Sequence, residues 1–117
     1  MTGKPIAREK SRAFALRVVT LCRYLQEQRN EYVLSKQLLR SGTAIGALIR
    51  EAEQAESRAD FIHKLAIALK EASETEYWLE LLTECGYLAP RAGQSVMADN
   101  KELLKILTAI IKTSKSR

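Results

Sequence analysis

One pair of residues in the chain has the spacing of half a metal site. Asp60 and His63 are a carboxylate and an imidazole three positions apart, which places them on the same face of a helix. Bundle proteins with a di-metal centre use two Glu-x-x-His pairs and two further carboxylates. The chain has a single histidine, so a second pair cannot form. The sequence therefore predicts no metal site and no cofactor, and His63 is interpreted as a surface residue.

Motifs for nucleophilic catalysis are also missing from the sequence. There is no Gly-x-Ser-x-Gly segment and no glycine-rich phosphate loop. Cys22 and Cys85 are interpreted as reduced thiols at buried or half-buried positions, with a disulfide between them as the alternative. We therefore expect no catalytic residues and a protein that is not an enzyme. The alternative is a metal-dependent bundle enzyme, for which elemental analysis of the protein should show bound metal.

Charge is the remaining chemical signal, and it is distributed unevenly. Residues 1–29 contain seven Lys/Arg and two Asp/Glu, residues 30–85 contain six and ten, and residues 86–117 contain six and two. If the two ends of the chain lie side by side, their cations form one positive face that could neutralise phosphates. The predicted nucleic-acid contacts are Arg8, Arg12, Arg17, Lys101 and Lys105. A basic surface without a partner is the alternative.

The elements that must position these cations are four amphipathic helices. Apolar residues recur at helical spacing over residues 6–28, 34–54, 58–85 and 95–112. Only two prolines and five glycines interrupt the chain, and the connecting turns are short, which makes neighbouring helices antiparallel. The sequence predicts an all-α fold, an antiparallel up-down-up-down four-helix bundle that forms a single domain over residues 1–117.

Local signals indicate where these helices begin and end. Ser35 is the predicted N-cap of the second helix, and Ser57 or Asp60 is that of the third. Gly86 is expected to follow the end of the third helix. The fourth helix is predicted to start near Ser95.

Two glycines lie four residues apart inside the second predicted helix. Gly42 and Gly46 each cost about 1 kcal/mol there relative to alanine. We expect the compensation to be the close approach of a neighbouring helix, and a local kink is the alternative.

The third predicted helix has a second apolar direction. Ile67, Trp78, Leu81 and Cys85 share a face opposite the main core stripe. Because a helix that is apolar on two sides is usually buried on two sides, Ile67, Trp78 and Leu81 are predicted to contact another subunit. Glu74 lies on the same side and is a candidate for pairing across that interface. The alternative is that Trp78 fills the edge of a wide core.

The same helix carries acids at a spacing of four residues. Glu76, Glu80 and Glu84 repel one another unless cations lie nearby. Basic residues on the other helices would relieve this repulsion, and Arg40 and Arg50 are the candidates on the second helix.

The sequence contains no run of some 18 apolar residues. Residues 1–5 lack the apolar core of a signal peptide. These observations predict a cytoplasmic protein without a membrane segment.

Three pieces of the sequence carry a resemblance to a known family. The first is residues 34–41 (LSKQLLRS), followed by 44–47 (AIGA) and Glu51; the second is 57–62 (SRADFI), continuing to 65–68 (LAIA); the third is 71–79 (EASETEYWL), ending with 86–88 (GYL). In this order they resemble the four helix bundle proteins first described as products of intervening sequences in 23S ribosomal RNA genes. The sequence departs from that family at Leu48, where members often have Asn, and at Ala52, where they often have Gly.

The resemblance implies an up-down four-helix bundle that assembles as a ring-shaped homopentamer. Relatives include the accessory variability proteins of diversity-generating retroelements, which are basic pentamers that bind nucleic acid and a reverse transcriptase. It implies no catalytic residues. Together with the charge pattern, it predicts a non-enzymatic oligomer that binds RNA or DNA through a basic surface, without strong sequence specificity. The alternative is a protein-interaction scaffold, such as an accessory subunit of a polymerase or reverse transcriptase.

Overall fold

The structure is a computed structural model that describes the backbone of residues 4–117 and the side chains from residue 6 onward. Residues 1–3, part of the stretch weighed above as a signal peptide, lie outside the described residues. The described chain forms four helices: α1 (Lys4–Arg29), α2 (Leu34–Glu53), α3 (Arg58–Glu84) and α4 (Pro90–Lys115).

The helices form the expected up-down bundle. Helix α1 packs against α2 and α4, and α3 packs against the same two helices. Over residues 4–117, the diagonal pairs α1–α3 and α2–α4 make no close backbone approach. Each helix therefore turns one stripe inward and another to the outside. The buried apolar residues of the four inward stripes include Phe14, Val18, Leu25, Leu38, Ile45, Ile49, Leu65, Ala72, Leu79, Leu82, Val96, Leu103 and Leu107.

The start of α2 is capped differently from the prediction. Ser35 is buried inside the helix, and its hydroxyl donates to the carbonyl oxygen of Glu31 at 2.8 Å. The Glu31 carboxylate accepts from the backbone N–H groups of Val33, Leu34 and Ser35 at 2.7–3.1 Å. A carboxylate reaches three donors where a serine hydroxyl reaches one, and its charge favours the positive end of the helix dipole.

The ends of α3 follow the prediction. The Ser57 hydroxyl accepts from the backbone N–H of Asp60 at 3.0 Å, and Gly86 has a φ of 85° directly after the C-cap residue Cys85. This left-handed conformation costs glycine little and other residues more.

Helix α4 begins at Pro90, five residues before the predicted start at Ser95. Proline suits the first turn because its missing N–H has no helical partner there. The prediction failed because residues 90–94 carry no large apolar side chain. Gly93 instead supplies close packing, since a Cβ at this position would lie 2.2 Å from the Thr83 hydroxyl oxygen.

The two glycines of α2 face α1, as predicted. A Cβ on Gly42 would lie 2.9 Å from both methyl carbons of Val18, and one on Gly46 would lie 3.4 Å from the Ser11 hydroxyl. The smooth surface of α2 therefore lets α1 approach closely.

Both cysteines are free thiols, as predicted. Cys22 is buried and its thiol donates to the Ser35 carbonyl oxygen at 3.2 Å, but Cys85 is exposed rather than buried or half-buried. His63 is exposed, as predicted. Among residues 4–117, no helix combines the length and the apolarity needed to cross a membrane.

Candidate nucleic-acid interface

The seam between α1 and α4 brings the two basic ends of the chain together, as the charge argument required. Acids on α4 neutralise cations on α1 there. Arg17 donates to the Asp99 carboxylate at 2.7 Å and to the Ser95 hydroxyl at 2.6 Å. Lys10 pairs with Glu102 at 3.2 Å. The seam is consequently an ion-paired contact between helices, and Arg17 is engaged within the chain.

A second groove, between α1 and α2, brings three arginines together. Arg8, Arg12 and Arg50 lie around a floor of small residues that includes Gly46. Arg8 pairs with Glu53 at 3.1 Å on one side of this groove. Arg12 and Arg50 are exposed, and neither has an ion pair among the described residues. We call this feature the arginine groove.

Arg50 was missed as a site residue by sequence reasoning, which treated it as a partner for the acids of α3. It stands four residues after Gly46, so it continues the stripe of α2 that faces α1. The spacing of Arg50 from the glycine pair was the signal that could have placed it beside Arg8 and Arg12.

The lysines of α4 lie elsewhere. Lys101 lines a groove between α3 and α4 together with Glu80 and Glu84, and Lys105 is exposed one helical turn further along α4. The structure thus divides four of the five predicted contacts among three grooves, and the fifth, Lys105, is exposed on α4. It brings together Arg8 and Arg12, and it separates Arg17 and Lys101 from them.

The predicted subunit contacts on α3 have two different environments. Trp78 packs against the core of its own chain, and its indole N–H donates to the Glu74 carboxylate at 2.9 Å. Ile67 and Leu81 are half-buried but do not take part in that core packing. The role of these three residues between subunits stays a prediction.

Arg40 pairs with acids of α3 other than the three that it was predicted to relieve. Its guanidinium pairs with Glu71 at 3.1 Å and also with Glu74. The hydrogen bond from Trp78, followed by that from Arg40, lowers the pKa of Glu74. Within the chain, the partners of Glu74 are Arg40 and Trp78, and its pairing across an interface stays a prediction.

Neither Arg40 nor Arg50 forms an ion pair with the described acids nearer the end of α3, contrary to the prediction, and Lys101 lines the same groove as two of them. Among the described residues, Glu76, Glu80 and Glu84 form no ion pair, and Glu80 and Glu84 are exposed. This end of α3 is an acidic surface.

Residues close to His63 do not assemble a metal site. The Asp60 carboxylate accepts from the backbone N–H of Glu56 at 3.3 Å. In the described part of the chain, no three His, Cys, Asp or Glu side chains are grouped closely enough to hold a metal ion.

Comparisons with known proteins agree with this architecture. Residues 4–109 match the family described as 23S rRNA-intervening sequence protein. One similar solved structure is a protein of unknown function from the S23 ribosomal protein family of Bacteroides thetaiotaomicron VPI-5482. The two chains are 54% identical, the match covers 95% of this chain and 99% of that one, and the TM-score is 0.94. A comparison with curated proteins gave no significant match.

Proposed function

The chain belongs to the 23S rRNA-intervening sequence protein family, and we propose that it is a non-enzymatic protein that binds the sugar–phosphate backbone of RNA or DNA. The observation that carries this proposal is the arginine groove. The solved relative is described as a protein of unknown function, so the ligand class rests on the chemistry of this groove.

The arginine groove suits phosphate better than it suits a free metabolite. Arg12 and Arg50 present guanidinium groups, whose planar array of donors matches phosphate oxygens. The groove measures about 280 Å³ and is open, whereas pockets for small molecules usually enclose about 300–1,000 Å³. A shallow, open and cationic groove fits one or two phosphates of a polymer.

Base recognition has little support in this region. Among the residues that the structure describes, the side chains that line the groove include no aromatic residue, so these residues provide no stacking on bases. Contacts made only to phosphates position a nucleic acid without reading its sequence. Binding through the arginine groove is therefore expected to lack strong sequence specificity.

Self-association would strengthen such binding. We propose that the chain forms a homo-oligomer, with the pentamer implied by the family resemblance as the expected form. Several arginine grooves on one assembly raise the effective concentration of each groove for the next phosphate. The higher effective concentration offsets the weaker binding of a single groove, in which Arg8 is already paired with Glu53.

The experiment measures binding of labelled RNA and DNA duplexes of scrambled sequence as salt is varied. The test variant is Arg12→Gln with Arg50→Gln, and the matched control is Lys36→Gln with Lys70→Gln, which changes two exposed lysines on α2 and α3. Each lost phosphate contact lowers the salt slope by about 0.9. The arginine variant should bind about tenfold more weakly or worse, with a slope lower by about 2.

The outcomes separate this function from its alternatives. Equal losses in both double variants would show that net charge matters and the arginine groove does not. Binding that is insensitive to salt would contradict backbone recognition.

A second candidate function is an accessory subunit of a polymerase or reverse transcriptase. The turn between α1 and α2 exposes Tyr32 and Val33, at 51% and 72% of their surface. Exposed apolar side chains at one end of the bundle favour a protein partner. Capture of such a partner that persists at high salt and is lost in Val33→Glu would support this function.

A further inference from the structure

The outward side of α1 carries apolar residues that its own chain leaves uncovered. Leu16, Val19 and Tyr24 are 55%, 38% and 42% exposed. Leu16, Val19 and Arg23 follow the spacing i, i+3, i+7, so they form one stripe. Arg23 is exposed and has no ion pair among the described residues. We call these four residues the α1 patch.

The outward side of α3 has the complementary character. Tyr77 is 53% exposed, and Leu81 follows it one turn later as a half-buried residue outside the core packing. Glu80 and Glu84 flank this pair, and both are exposed without an ion pair among the described residues. We call these four residues the α3 patch. It offers two apolar side chains between carboxylates, where the α1 patch offers apolar side chains beside a guanidinium.

The two patches lie on opposite sides of the bundle, because α1 and α3 are diagonal helices. They also lie at the same level. Arg29, at the end of α1, donates to the carbonyl oxygens of Gly86 and Tyr87 just after the end of α3. Tyr24 stands five residues before Arg29, and Leu81 stands five residues before Gly86.

From this arrangement we infer that the α1 patch binds the α3 patch of a second copy of this chain, head to tail. The charges favour this pairing, since α1 against α1 would oppose two arginines and α3 against α3 would oppose four carboxylates. Patches at one level keep a rise from accumulating from copy to copy, and repeated contacts close into a ring where each contact also turns the next copy about a common axis. The inference rests on the self-association proposed above and names the surfaces that produce it.

A recess beside the α1 patch could receive an apolar side chain of the second copy. This groove, between α1 and α4, measures about 420 Å³ and is lined by Leu16, Leu21, Tyr24, Ala92 and Val96 together with Arg17 and Thr20. Its size and mainly apolar lining suit an aromatic ring such as that of Tyr77.

The test uses two variants of the full chain that reverse one patch each. The first, Leu16→Glu with Arg23→Glu, makes the α1 patch acidic. The second, Leu81→Lys with Glu84→Lys, makes the α3 patch basic. Each variant alone places like charges opposite one another across the contact. Light scattering should therefore show that the assembled species is lost and that the remaining protein has the mass of one chain.

Mixing the two variants then distinguishes this contact from others. In the mixture, acidic α1 patches can meet basic α3 patches, and unchanged α1 patches can meet unchanged α3 patches. The two variants alternate along such an assembly, so a ring with an odd number of chains keeps one mismatched contact. Species with a higher mass than one chain should therefore return in the mixture, whatever number of chains closes the wild-type ring. The control is Val33→Glu with Lys36→Glu, the same kind of change outside both patches, which should keep the assembled mass. Circular dichroism of each variant checks that the helices remain.

The results overturn the inference in separate ways. If the wild-type protein has the mass of one chain, both the proposed self-association and this contact are wrong. If the wild type is assembled and the patch variants also stay assembled, only the contact between these patches is wrong. Helical variants that are monomeric alone and stay monomeric when mixed would indicate a different pairing, and that also overturns the inference.

Discussion

Val18 of α1 lies directly over Gly42 of α2, so closely that a Cβ on the glycine would stand 2.9 Å from both valine methyl carbons. Val18 is fully buried, and a β-branched side chain has little rotamer freedom in a helix. The contact therefore cannot relax by a side-chain rotation. It fixes how closely the first two helices of the bundle approach.

The first prediction compares alanine at the two glycines of α2. Gly42→Ala gains about 1 kcal/mol of helix propensity but overpacks the contact with Val18, which typically costs about 1–3 kcal/mol. We expect it to lower the free energy of unfolding by about 1 kcal/mol. Gly46→Ala places its methyl 3.4 Å from the Ser11 hydroxyl, a contact close to ordinary packing, and should be neutral or stabilising by up to about 1 kcal/mol.

Urea unfolding followed by circular dichroism, at one fixed protein concentration, measures both changes. The two variants differ only in which glycine receives the methyl group. Equal effects at Gly42 and Gly46 would contradict the view that Val18 sets the approach of the helices.

The glycine pair also shows what the sequence could predict. Helical periodicity placed all four helices, and the spacing of Gly42 and Gly46 indicated a close helix contact before the partner was known. Both follow from local spacing, which a sequence displays directly. The start of α4 does not follow from local spacing, because a proline such as Pro90 is compatible both with the end of one helix and with the beginning of the next.

The candidate site was harder to predict than the fold. Sequence reasoning correctly made α1 and α4 neighbours, but it could not show that Asp99 would engage Arg17. It also could not show that Arg8 and Arg12 turn toward α2 and Arg50. These outcomes depend on the rotation of each helix about its own axis, which the whole core packing sets.

The second prediction concerns the Glu31 cap. Glu31→Ala removes the acceptor of three backbone N–H groups at the start of α2, and loss of a helix cap costs about 0.5–2 kcal/mol. We expect a cost near the upper limit, about 2 kcal/mol, because Glu31 is only 7% exposed and the freed donors are partly shielded from water. Thermal unfolding measures the change.

Two further variants show whether the cap is the cause. Glu31→Gln keeps an acceptor oxygen and should cost about half as much as Glu31→Ala, since it loses the charge that favours the helix dipole. Glu27→Ala, an exposed acid in the last turns of α1, is the control. A cost for Glu27→Ala equal to that for Glu31→Ala would attribute the effect to charge alone.

The third prediction is a pH dependence caused by Glu74. Hydrogen bonds from Trp78 and Arg40 lower the pKa of Glu74 from its ordinary value of 4.5. The unfolded chain therefore binds this proton more readily than the folded chain does. The stabilisation is present above pH 4.5 and is lost as the pH falls through the lowered pKa.

Replacing Glu74 by Gln should remove this dependence. The difference in unfolding free energy between wild type and Glu74→Gln should be under about 1 kcal/mol at neutral pH, because the pair is partly exposed, and it should shrink below pH 4.5. Urea unfolding over a pH series measures it, with Glu9→Gln on α1 as the control. A difference that stays constant over the series would exclude the interaction with Arg40 and Trp78 as its source.

The fourth prediction separates the two thiols by reactivity. Burial, together with the nearby Glu31 carboxylate, raises the pKa of Cys22 to about 12, and the protonated thiol donates to the Ser35 carbonyl oxygen. Because the thiolate is the nucleophile in disulfide exchange, Cys22 should resist an aromatic disulfide reagent at neutral pH. Cys85 is exposed and should react at once.

A titration with the reagent in native buffer and in denaturant tests this difference. Native wild type should release one equivalent rapidly, and unfolded wild type should release two. Native Cys85→Ser should release almost none until it unfolds, whereas native Cys22→Ser should react as fast as wild type. Rapid reaction of native Cys85→Ser would mean that α1 and α2 separate often near Cys22, and the close packing of these helices around Gly42 would then have to be reconsidered.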